Sequence, residues 1–162
     1  MSDSLIIIPT FNEIENIEKI IRKIFSLTKP FHILIIEDGS PDGTATVVKK
    51  LIKEFPTQLY IEERQEKLGL GTAYIHGFKW ALKKDYEFIF EMDADLSHDP
   101  RELSPMLSHL RTDLHMVIGS RYIRGINVVN WPLNRILLSY LASLYVRWTT
   151  FMPIKDPTAG FV

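Results

Sequence analysis

The sequence predicts an α/β domain in which helices flank a mostly parallel sheet, and three observations lead to this prediction. Short runs of consecutive apolar residues recur along the chain, which is typical of strands buried on both faces. Segments with apolar residues at helical spacing alternate with these runs. Turns rich in acidic residues and glycine follow several runs, at the edge where open α/β sheets bind their ligands.

The first part of the chain contains three predicted strands and two predicted helices. Residues 5–9, 31–36 and 59–62 are the runs that we interpret as strands. Residues 13–27 predict an amphipathic helix, because isoleucines recur there at helical spacing with charged residues between them. Those isoleucines are Ile14, Ile17, Ile21 and Ile24. The second helix follows residues 31–36 and has an inner face of Val48, Leu51, Ile52 and Phe55.

The remaining elements continue the alternation. A third helix begins at residues 68–73 and runs to about residue 84, with Tyr74, Phe78, Ala81 and Leu82 on its inner face. Residues 88–92 form the predicted fourth strand, Pro100 or Arg101 opens the next helix, and residues 115–119 form the predicted fifth strand. A long apolar segment covers residues 134–151. No linker or repeat interrupts this order, so we predict one domain over residues 1–162.

The composition excludes several classes of protein. A chain of 162 residues with 46% hydrophobic content is long enough to bury one core. The net charge of −1 argues against nucleic acid as a partner, because proteins that bind it are usually basic. Without cysteine there is neither a disulfide framework nor a thiolate metal site.

Two carboxylates, Asp93 and Asp95, stand one residue apart at the end of the predicted fourth strand. Hard oxygen ligands of this kind suit Mg²⁺ or Mn²⁺ shared with a substrate phosphate. The alternative is a turn in which an aspartate caps the following helix. His98 either extends the metal shell or contacts phosphate, or else it lies partly exposed in the turn.

The turn after the second strand carries a further acid at the same edge of the sheet. Asp38 is placed to accept hydrogen bonds from a nucleotide base or ribose, whereas Asp42 is expected to cap the following helix. The pair Gly69 and Gly71 is a weak phosphate-binding signal, since the third glycine of the dinucleotide fingerprint is missing. It is equally consistent with a tight turn before the third helix.

The chain from residue 114 to residue 155 contains arginine and lysine but no acidic residue. Arg121 leaves the predicted fifth strand at the ligand edge, where its guanidinium either pairs with phosphate or forms an ion pair with an acid. Arg135 begins the long helix, where a cation opposes the helix dipole, and this placement favours a ligand-binding role over a solvated surface position.

The segment of residues 136–152 is apolar on nearly every side of a helix. One interpretation is a helix that lies in a membrane interface, with Arg147 extending to phosphate. The other is a helix buried within the domain or in a dimer. The sequence alone does not choose between them.

Six motifs together give the chain a resemblance to a known family. They are residues 8–13 (IPTFNE), 38–44 (DGSPDGT), 67–77 (KLGLGTAYIHG), 93–98 (DADLSH), 119–122 (GSRY) and 156–161 (DPTAGF). In this order they resemble the family-two GT-A glycosyltransferases, and specifically the polyprenol-phosphate (dolichol-phosphate) mannosyltransferase branch. The run KLGLGTAYIHG is the most specific to that branch, and the Asp-x-Asp pattern is the least.

The resemblance implies a role for each matching residue. The residues that it places in the nucleotide-sugar pocket are Pro9, Thr10, Asn12, Glu13, Asp38, Gly71, Asp93 and Ala94. It implies that Asp93 and Asp95 hold Mg²⁺ or Mn²⁺ against the diphosphate of GDP-mannose. It gives Arg121 and Arg135 the task of gripping the diphosphate and the phosphate of the lipid acceptor, so that with Asp95 they form the catalytic set. Glu37 departs from the family pattern, which usually has aspartate there.

The resemblance also implies an activity and a location. The activity is an inverting transfer of mannose from GDP-mannose to a polyprenyl phosphate, at the cytoplasmic face of a membrane to which the enzyme is peripherally bound. Relatives continue for several dozen residues beyond the position of Val162, so the chain is expected to be a GT-A domain truncated at its C-terminus. Two alternatives stay open: transfer from a UDP-sugar to a lipid phosphate or a glycan, and a non-catalytic module that binds nucleotide sugars.

Overall fold

A computed structural model describes residues 2–110, 114–121 and 132–162, apart from the side chain of Arg135. Four parallel strands form a sheet in the order β3-β2-β1-β4. The strands are β1 (Ser4–Thr10), β2 (His32–Glu37), β3 (Leu59–Glu63) and β4 (Phe88–Glu91). The helices are α1 (Ile17–Phe25), α2 (Thr44–Glu54), α3 (Leu70–Ala81), α4 (Leu103–Leu110) and α5 (Leu133–Thr150), with a 3₁₀ turn at Pro100–Glu102. The predicted α/β class and the parallel sheet are confirmed.

The alternating side chains of β1 divide the core into two layers. Ile6 and Ile8 face the layer formed with α1, α2 and α4, whereas Leu5 and Ile7 face the layer formed with α3. Helix α3 lies close to the sheet because Gly77 has no side chain; a Cβ atom there would stand 2.6 Å from Ile7 Cγ2. Both faces of the sheet are therefore covered, which explains the continuous apolar runs.

The predicted fifth strand at residues 115–119 is wrong, because residues 114–121 form no strand in the described part of the chain. Val162 occupies the position beside β4: the Glu91 N–H donates to the Val162 carbonyl at 2.7 Å, and the Val162 N–H donates back at 3.4 Å. Gly119 lies one step further out and donates its N–H to the Phe161 carbonyl at 2.8 Å. In the described part of the chain, Gly119 thus bonds to Phe161 and not to β4.

Two helix boundaries also differ from the prediction. Helix α1 begins at Ile17 and not at residue 13, and Ile14 is 43% exposed in the turn that precedes it. Helix α3 ends at Ala81, which leaves Leu82 79% exposed and off the predicted inner face. In the first case the backbone N–H groups of residues 12–14 donate to side chains of a neighbouring turn, described below, and Asn12 has φ +59°, outside the helical region.

Helix α5 packs differently from the other helices. Among its described side chains only Ser143 is buried, and the leucines and aromatics around it are exposed. The interpretation of α5 as a helix buried within the domain is therefore wrong for the described residues. None of the helices in the described ranges combines the length and the apolar character needed to cross a membrane.

Candidate functional site

A cleft of about 300 Å³ opens at the carboxyl ends of β1, β2 and β4. It is lined by Pro9, Thr10, Phe11, Glu13, Asp38, Lys67, Leu70, Asp93, Ala94 and Asp95. The structure thus brings seven of the predicted site residues, all except Asn12, Gly71, Arg121 and Arg135, to one cavity. Parallel strands explain this convergence, since their carboxyl ends meet at a single edge of the sheet.

The turn after β1 is fastened to the turn after β2. Three consecutive backbone N–H groups of the first turn donate to side-chain oxygens of the second. These bonds join Asn12 to Ser40, Glu13 to Thr44 and Ile14 to Asp42, at 3.0 to 3.1 Å. Asp42 also accepts the N–H of Thr44 at 2.9 Å, in the capping position that the sequence predicts. The two turns therefore form one rigid wall of the cleft.

Asp38 is buried at the start of the second turn and pairs with an arginine that the sequence analysis missed. Arg64 donates from Nε to Oδ1 and from Nη2 to Oδ2 of Asp38, both at 2.6 Å, and both side chains are buried. Arg64 also donates from Nη1 to Thr72 in α3. The available signal was positional: Arg64 follows β3 directly, just as Asp38 follows β2. The fork fixes the plane of the Asp38 carboxylate toward the cleft.

Glu37, the residue that departs from the family pattern, has a structural function. Its buried carboxylate accepts the N–H of Gly39 at 3.0 Å and the N–H of Ser40 at 2.8 Å. Gly39 has φ +70°, and a Cβ atom there would stand 2.9 Å from the Gln65 carbonyl oxygen. The substitution thus keeps an acid where the backbone needs an acceptor.

The Asp93–Asp95 turn leaves β4 with both acids in the cleft. Asp95 accepts the N–H of Ser97 at 2.9 Å, which closes the turn, and Leu96 adopts φ +63°. Burial, with a further contribution from the charge of Asp95, raises the pKa of Asp93, while His98 acts in the opposite direction. Asp93 is half-buried and Asp95 is exposed, and a nearby cation would stabilise the ionised form of both carboxylates.

His98 supports this turn from behind. The Asp93 N–H donates to Nδ1 of the imidazole at 3.1 Å, and Nε2 lies 3.8 Å from Asp93 Oδ2. Because Nδ1 accepts a hydrogen bond, the neutral ring carries its hydrogen on Nε2 and has no lone pair there for a metal. Burial lowers the pKa of His98, and the ring stacks on Phe161 at 4.9 Å between centroids. These contacts place His98 against both the backbone and the carboxylate of Asp93.

The donor set can be tested against a divalent cation. No group of three or more His, Asp or Glu side chains suited to a metal occurs in the ranges that the structure describes. Two adjacent carboxylates nevertheless fit Mg²⁺ or Mn²⁺, which usually take one or two protein carboxylates and complete their shell with phosphate oxygens and water. The buried hydroxyl of Tyr74, near Asp93, has no hydrogen-bond partner of acceptable geometry among the described residues. The site is therefore polar and open to additional ligands.

Arg121 does not line the cleft; it forms an ion pair with Asp156. Its Nε donates to Asp156 Oδ2 at 2.9 Å and its Nη2 to Oδ1 at 2.7 Å, and Nη2 also donates to Thr158. Of the two alternatives for Arg121 the geometry shows the ion pair, and the pairing with phosphate stays a prediction. Asp156 received no role in the sequence analysis, although it is the first acid after the acid-free stretch.

The other predicted site residues lie around the cleft or outside the description. Asn12 uses its N–H to hold the wall and has φ +59°. Gly71 lies in the first turn of α3, where a Cβ atom would meet open space. Arg135 is in the first turn of α5, and its side chain lies outside the described residues.

Lys67 is a cleft residue that the sequence analysis quoted in a motif without giving it a role. Its Nζ stands 4.3 Å from the centroid of the Phe11 ring, and both residues line the cavity. The signal was its position before Gly69 in the loop that faces the acids. Lys67 adds a positive charge to a cleft that otherwise contains carboxylates.

Comparison with known proteins agrees with this geometry. The sequence profile of Glycosyl transferase family 2 matches residues 5–160. The polyprenol monophosphomannose synthase of Mycolicibacterium smegmatis is 42% identical over 158 residues, which cover 98% of this chain and 60% of that protein. The undecaprenyl-phosphate mannosyltransferase of Micrococcus luteus is 40% identical over 157 residues, which cover 97% of this chain and 64% of that protein.

A solved structure shares the fold. The mannosyltransferase of Pyrobaculum calidifontis, solved in complex with GDP-Man and Mn²⁺, superposes with a TM-score of 0.59 at 24% identity, over 67% of this chain and 32% of that one. This similarity confirms the predicted GT-A fold. The present chain spans 60% and 64% of the length of the two curated relatives described above. The family resemblance seen in the sequence motifs is confirmed, and the chain belongs to glycosyl transferase family 2.

Proposed function

We propose that the protein transfers mannose from GDP-mannose to a polyprenyl phosphate with inversion at the anomeric carbon. The observation that carries the proposal is the convergence of Asp38, Asp93 and Asp95 in one cleft at the carboxyl edge of the sheet. The relatives at 42% and 40% identity, a polyprenol monophosphomannose synthase and an undecaprenyl-phosphate mannosyltransferase, suggest the sugar and the class of acceptor. The three acids in one cleft support a nucleotide pocket beside a cation site.

The donor occupies the cleft with its base and ribose toward Asp38. Arg64 fixes both oxygens of that carboxylate, so Asp38 presents its remaining lone pairs in one orientation. The diphosphate then extends toward Asp93 and Asp95, past the ammonium group of Lys67. Lys67 and the cation site neutralise the negative charge of the diphosphate at opposite sides.

Asp93 and Asp95 hold Mg²⁺ or Mn²⁺ in this proposal, and the bound cation supplies charge neutralisation for the departing nucleoside diphosphate. His98 keeps Asp93 in place by accepting its N–H and standing beside its Oδ2. Ser97 closes the turn through its own N–H, so the Asp95 carboxylate is oriented before a ligand arrives. Pre-oriented groups of this kind reduce the reorganisation needed as charge develops.

The acceptor is a phosphate monoester, and its second pKa near 6 leaves it largely ionised at neutral pH. Such an acceptor needs no strong general base. Among the described residues that line the cleft there is no pair of a nucleophile and a neighbouring base. Arg121 and Arg135 come from the segment that lacks acids between residues 114 and 155 and contribute positive charge for the acceptor phosphate. A single in-line displacement by a phosphate oxygen inverts the anomeric carbon.

Helix α5 is proposed to bind the membrane surface from which the lipid acceptor is taken, which makes the protein peripheral to the cytoplasmic face. Leu137, Leu138 and Trp148 are exposed by 59%, 71% and 76%. A helix with this many exposed apolar side chains gains free energy by lying in the interface between head groups and acyl chains.

The test is a transfer assay with the whole protein, GDP-mannose and a polyprenyl phosphate in vesicles, with Mn²⁺ or with EDTA. We expect turnover that requires the cation, and we expect GDP to compete with the donor better than UDP. Turnover that is equal in EDTA would remove the cation from the proposal. Better competition by UDP would favour a UDP-sugar as donor, and tight GDP binding without transfer or hydrolysis would favour a non-catalytic module.

A further inference from the structure

Asp156 is the most completely buried carboxylate among the described residues that contact an arginine, with a side-chain exposure of 0%. It accepts the backbone N–H of Arg121 at 3.0 Å in addition to the two guanidinium bonds. The Ser143 hydroxyl donates to its Oδ1 at 3.4 Å and the Thr158 hydroxyl at 3.3 Å. A buried carboxylate that accepts this many hydrogen bonds is held in one position.

The donors to Asp156 come from three separate segments. Arg121 ends the 114–121 segment, Ser143 is in α5, and Thr158 is in the terminal loop. Ser143 is also the one buried side chain among those described in α5. The network that surrounds Asp156 therefore attaches the apolar helix to the domain at the same carboxylate that holds Arg121.

The terminal loop also contacts the cation site. The Phe161 ring stacks on His98 with an interplanar angle of 10°, and a Cβ atom at Gly160 would stand 3.5 Å from Asp93 Oδ2. Because His98 in turn accepts the Asp93 N–H, residues 156–162 connect Arg121 and α5 to the acid turn.

We propose that Asp156 is a positioning residue for the acceptor phosphate, which it serves by fixing the guanidinium of Arg121 and the seat of α5 as one unit. The inference rests on the proposed function, because it assigns Arg121 to the acceptor side. A flexible arginine side chain loses conformational entropy when it binds phosphate. A carboxylate that already fixes the guanidinium lowers this entropic cost before the acceptor arrives. Coupling to Ser143 places the arginine at a set depth relative to the helix.

A second pair in the chain offers a matched comparison. Asp99 accepts from the backbone N–H, Nε and Nη2 of Arg101, which are the same donor groups that Arg121 uses toward Asp156. This pair is exposed, with 84% of the Arg101 side chain and 41% of the Asp99 side chain accessible. It lies outside the cleft and outside the terminal loop, so Asp99→Asn controls for the loss of one aspartate–arginine pair.

The experiment measures the KM for polyprenyl phosphate, the KM for GDP-mannose and the binding of vesicles that contain or lack polyprenyl phosphate. We expect Asp156→Asn in the whole protein to raise the acceptor KM about tenfold or more and to leave the donor KM within about twofold. Asp99→Asn should change neither KM. Equal effects of the two substitutions, or a parallel rise in both KM values for Asp156→Asn, would overturn the inference.

Ser143→Ala keeps the test informative if Asp156→Asn does not fold. This variant removes the link to α5 and retains the Arg121 ion pair, so we expect a threefold or larger rise in the acceptor KM alone. Thr149→Ala is its control, because the Thr149 hydroxyl is exposed and donates to carbonyls of its own helix. An unchanged acceptor KM in Ser143→Ala would contradict the coupling.

The two proposals fail separately. If the unsubstituted protein shows no transfer to any lipid phosphate, the proposed function fails and vesicle binding decides the inference. A polyprenyl-phosphate-dependent increment in binding that Asp156→Asn loses and Asp99→Asn keeps supports it. An increment that Asp156→Asn retains, or no increment in the unsubstituted protein, overturns it.

Discussion

Helices α1 and α5 are both rich in large aliphatic residues, and the structure treats them in opposite ways. In α1, Ile17, Ile20, Ile21 and Ile24 are fully buried against the sheet, and charged residues cover the outer face. In α5 the apolar residues occur on nearly every side and most of them are exposed, while the small polar Ser143 is buried. An apolar pattern thus indicates that a surface requires a partner, but only its angular distribution indicates whether the domain itself provides one.

The largest difference between the two helices should be in stability. Ile20→Ala removes a fully buried side chain from α1 and is expected to lower the free energy of unfolding by about 2–5 kcal/mol. Leu138→Ala, on the exposed surface of α5, should change it by about 0.5 kcal/mol or less. Urea denaturation of both variants measures the contrast. A loss of several kcal/mol for Leu138→Ala would mean that α5 is packed in solution.

A substitution in the cleft should affect activity but not the binding of vesicles by α5. Asp95→Ala removes one carboxylate of the proposed cation site and is expected to lower kcat by about 10²–10³-fold. Vesicle binding should be unchanged, since Asp95 is in the sheet-edge cleft and α5 is not. Asp99→Asn serves as the control for removal of a nearby acid. If Asp95→Ala retained activity, or if its vesicle binding fell with its activity, the two regions would not be separable.

Substitutions on α5 should affect the binding of vesicles but not the cleft. Leu138→Ser combined with Trp148→Ser is expected to weaken binding to vesicles with anionic lipids by about 10- to 100-fold, because both exposed side chains lose their insertion energy. The affinity for GDP should stay unchanged. Leu82→Ser is the control, since Leu82 is 79% exposed on the other part of the molecule. Unchanged vesicle binding in the double variant would assign the apolar surface of α5 to a protein partner instead.

The sheet and the cleft were predictable from the sequence to the extent that they depend on local pattern. The continuous runs of β1 and β2 predict buried parallel strands, and the acids after β2 and β4 then meet at one edge by topology alone. The predicted strand at residues 115–119 was wrong because strand pairing is a non-local property. Whether that run joins β4 depends on Val162, which is distant in sequence.

The missed site residues were missed for a related reason. Arg64 and Asp156 act through pairing with Asp38 and Arg121, which lie 26 and 35 residues away along the chain. Ion pairs at such separations leave no periodic pattern in the sequence. The only local signs are that Arg64 follows β3 directly and that Asp156 is the first acid after the acid-free stretch. Glu37 shows the opposite case: its departure from the family pattern was visible, but its role in binding two backbone N–H groups required the geometry.

The smallest expected effect concerns pH and the edge of the sheet opposite the cleft. His32 begins β2, where its Nδ1 lies 2.8 Å from the Tyr86 hydroxyl and its ring contacts Tyr60 edge-on. Burial, followed by the charge of the N-terminus, lowers the pKa of His32 below its usual value of 6.5. The unfolded chain therefore takes up this proton at a higher pH than the folded protein does.

It follows that the stability contributed by neutral His32 is fully present above its unfolded pKa and is lost as the pH falls through that value toward the folded pKa. One such proton gives a slope of at most about 1.4 kcal/mol per pH unit. We expect His32→Gln to flatten the decline in the free energy of unfolding between pH 7.5 and 5.5, measured by urea denaturation. Burial also lowers the pKa of His98, which therefore contributes in the same pH range. The contribution of His32 is the difference between the slope of the unsubstituted protein and the slope of His32→Gln. Identical slopes in the unsubstituted protein and in His32→Gln would show that His32 makes no contribution to the pH dependence of stability.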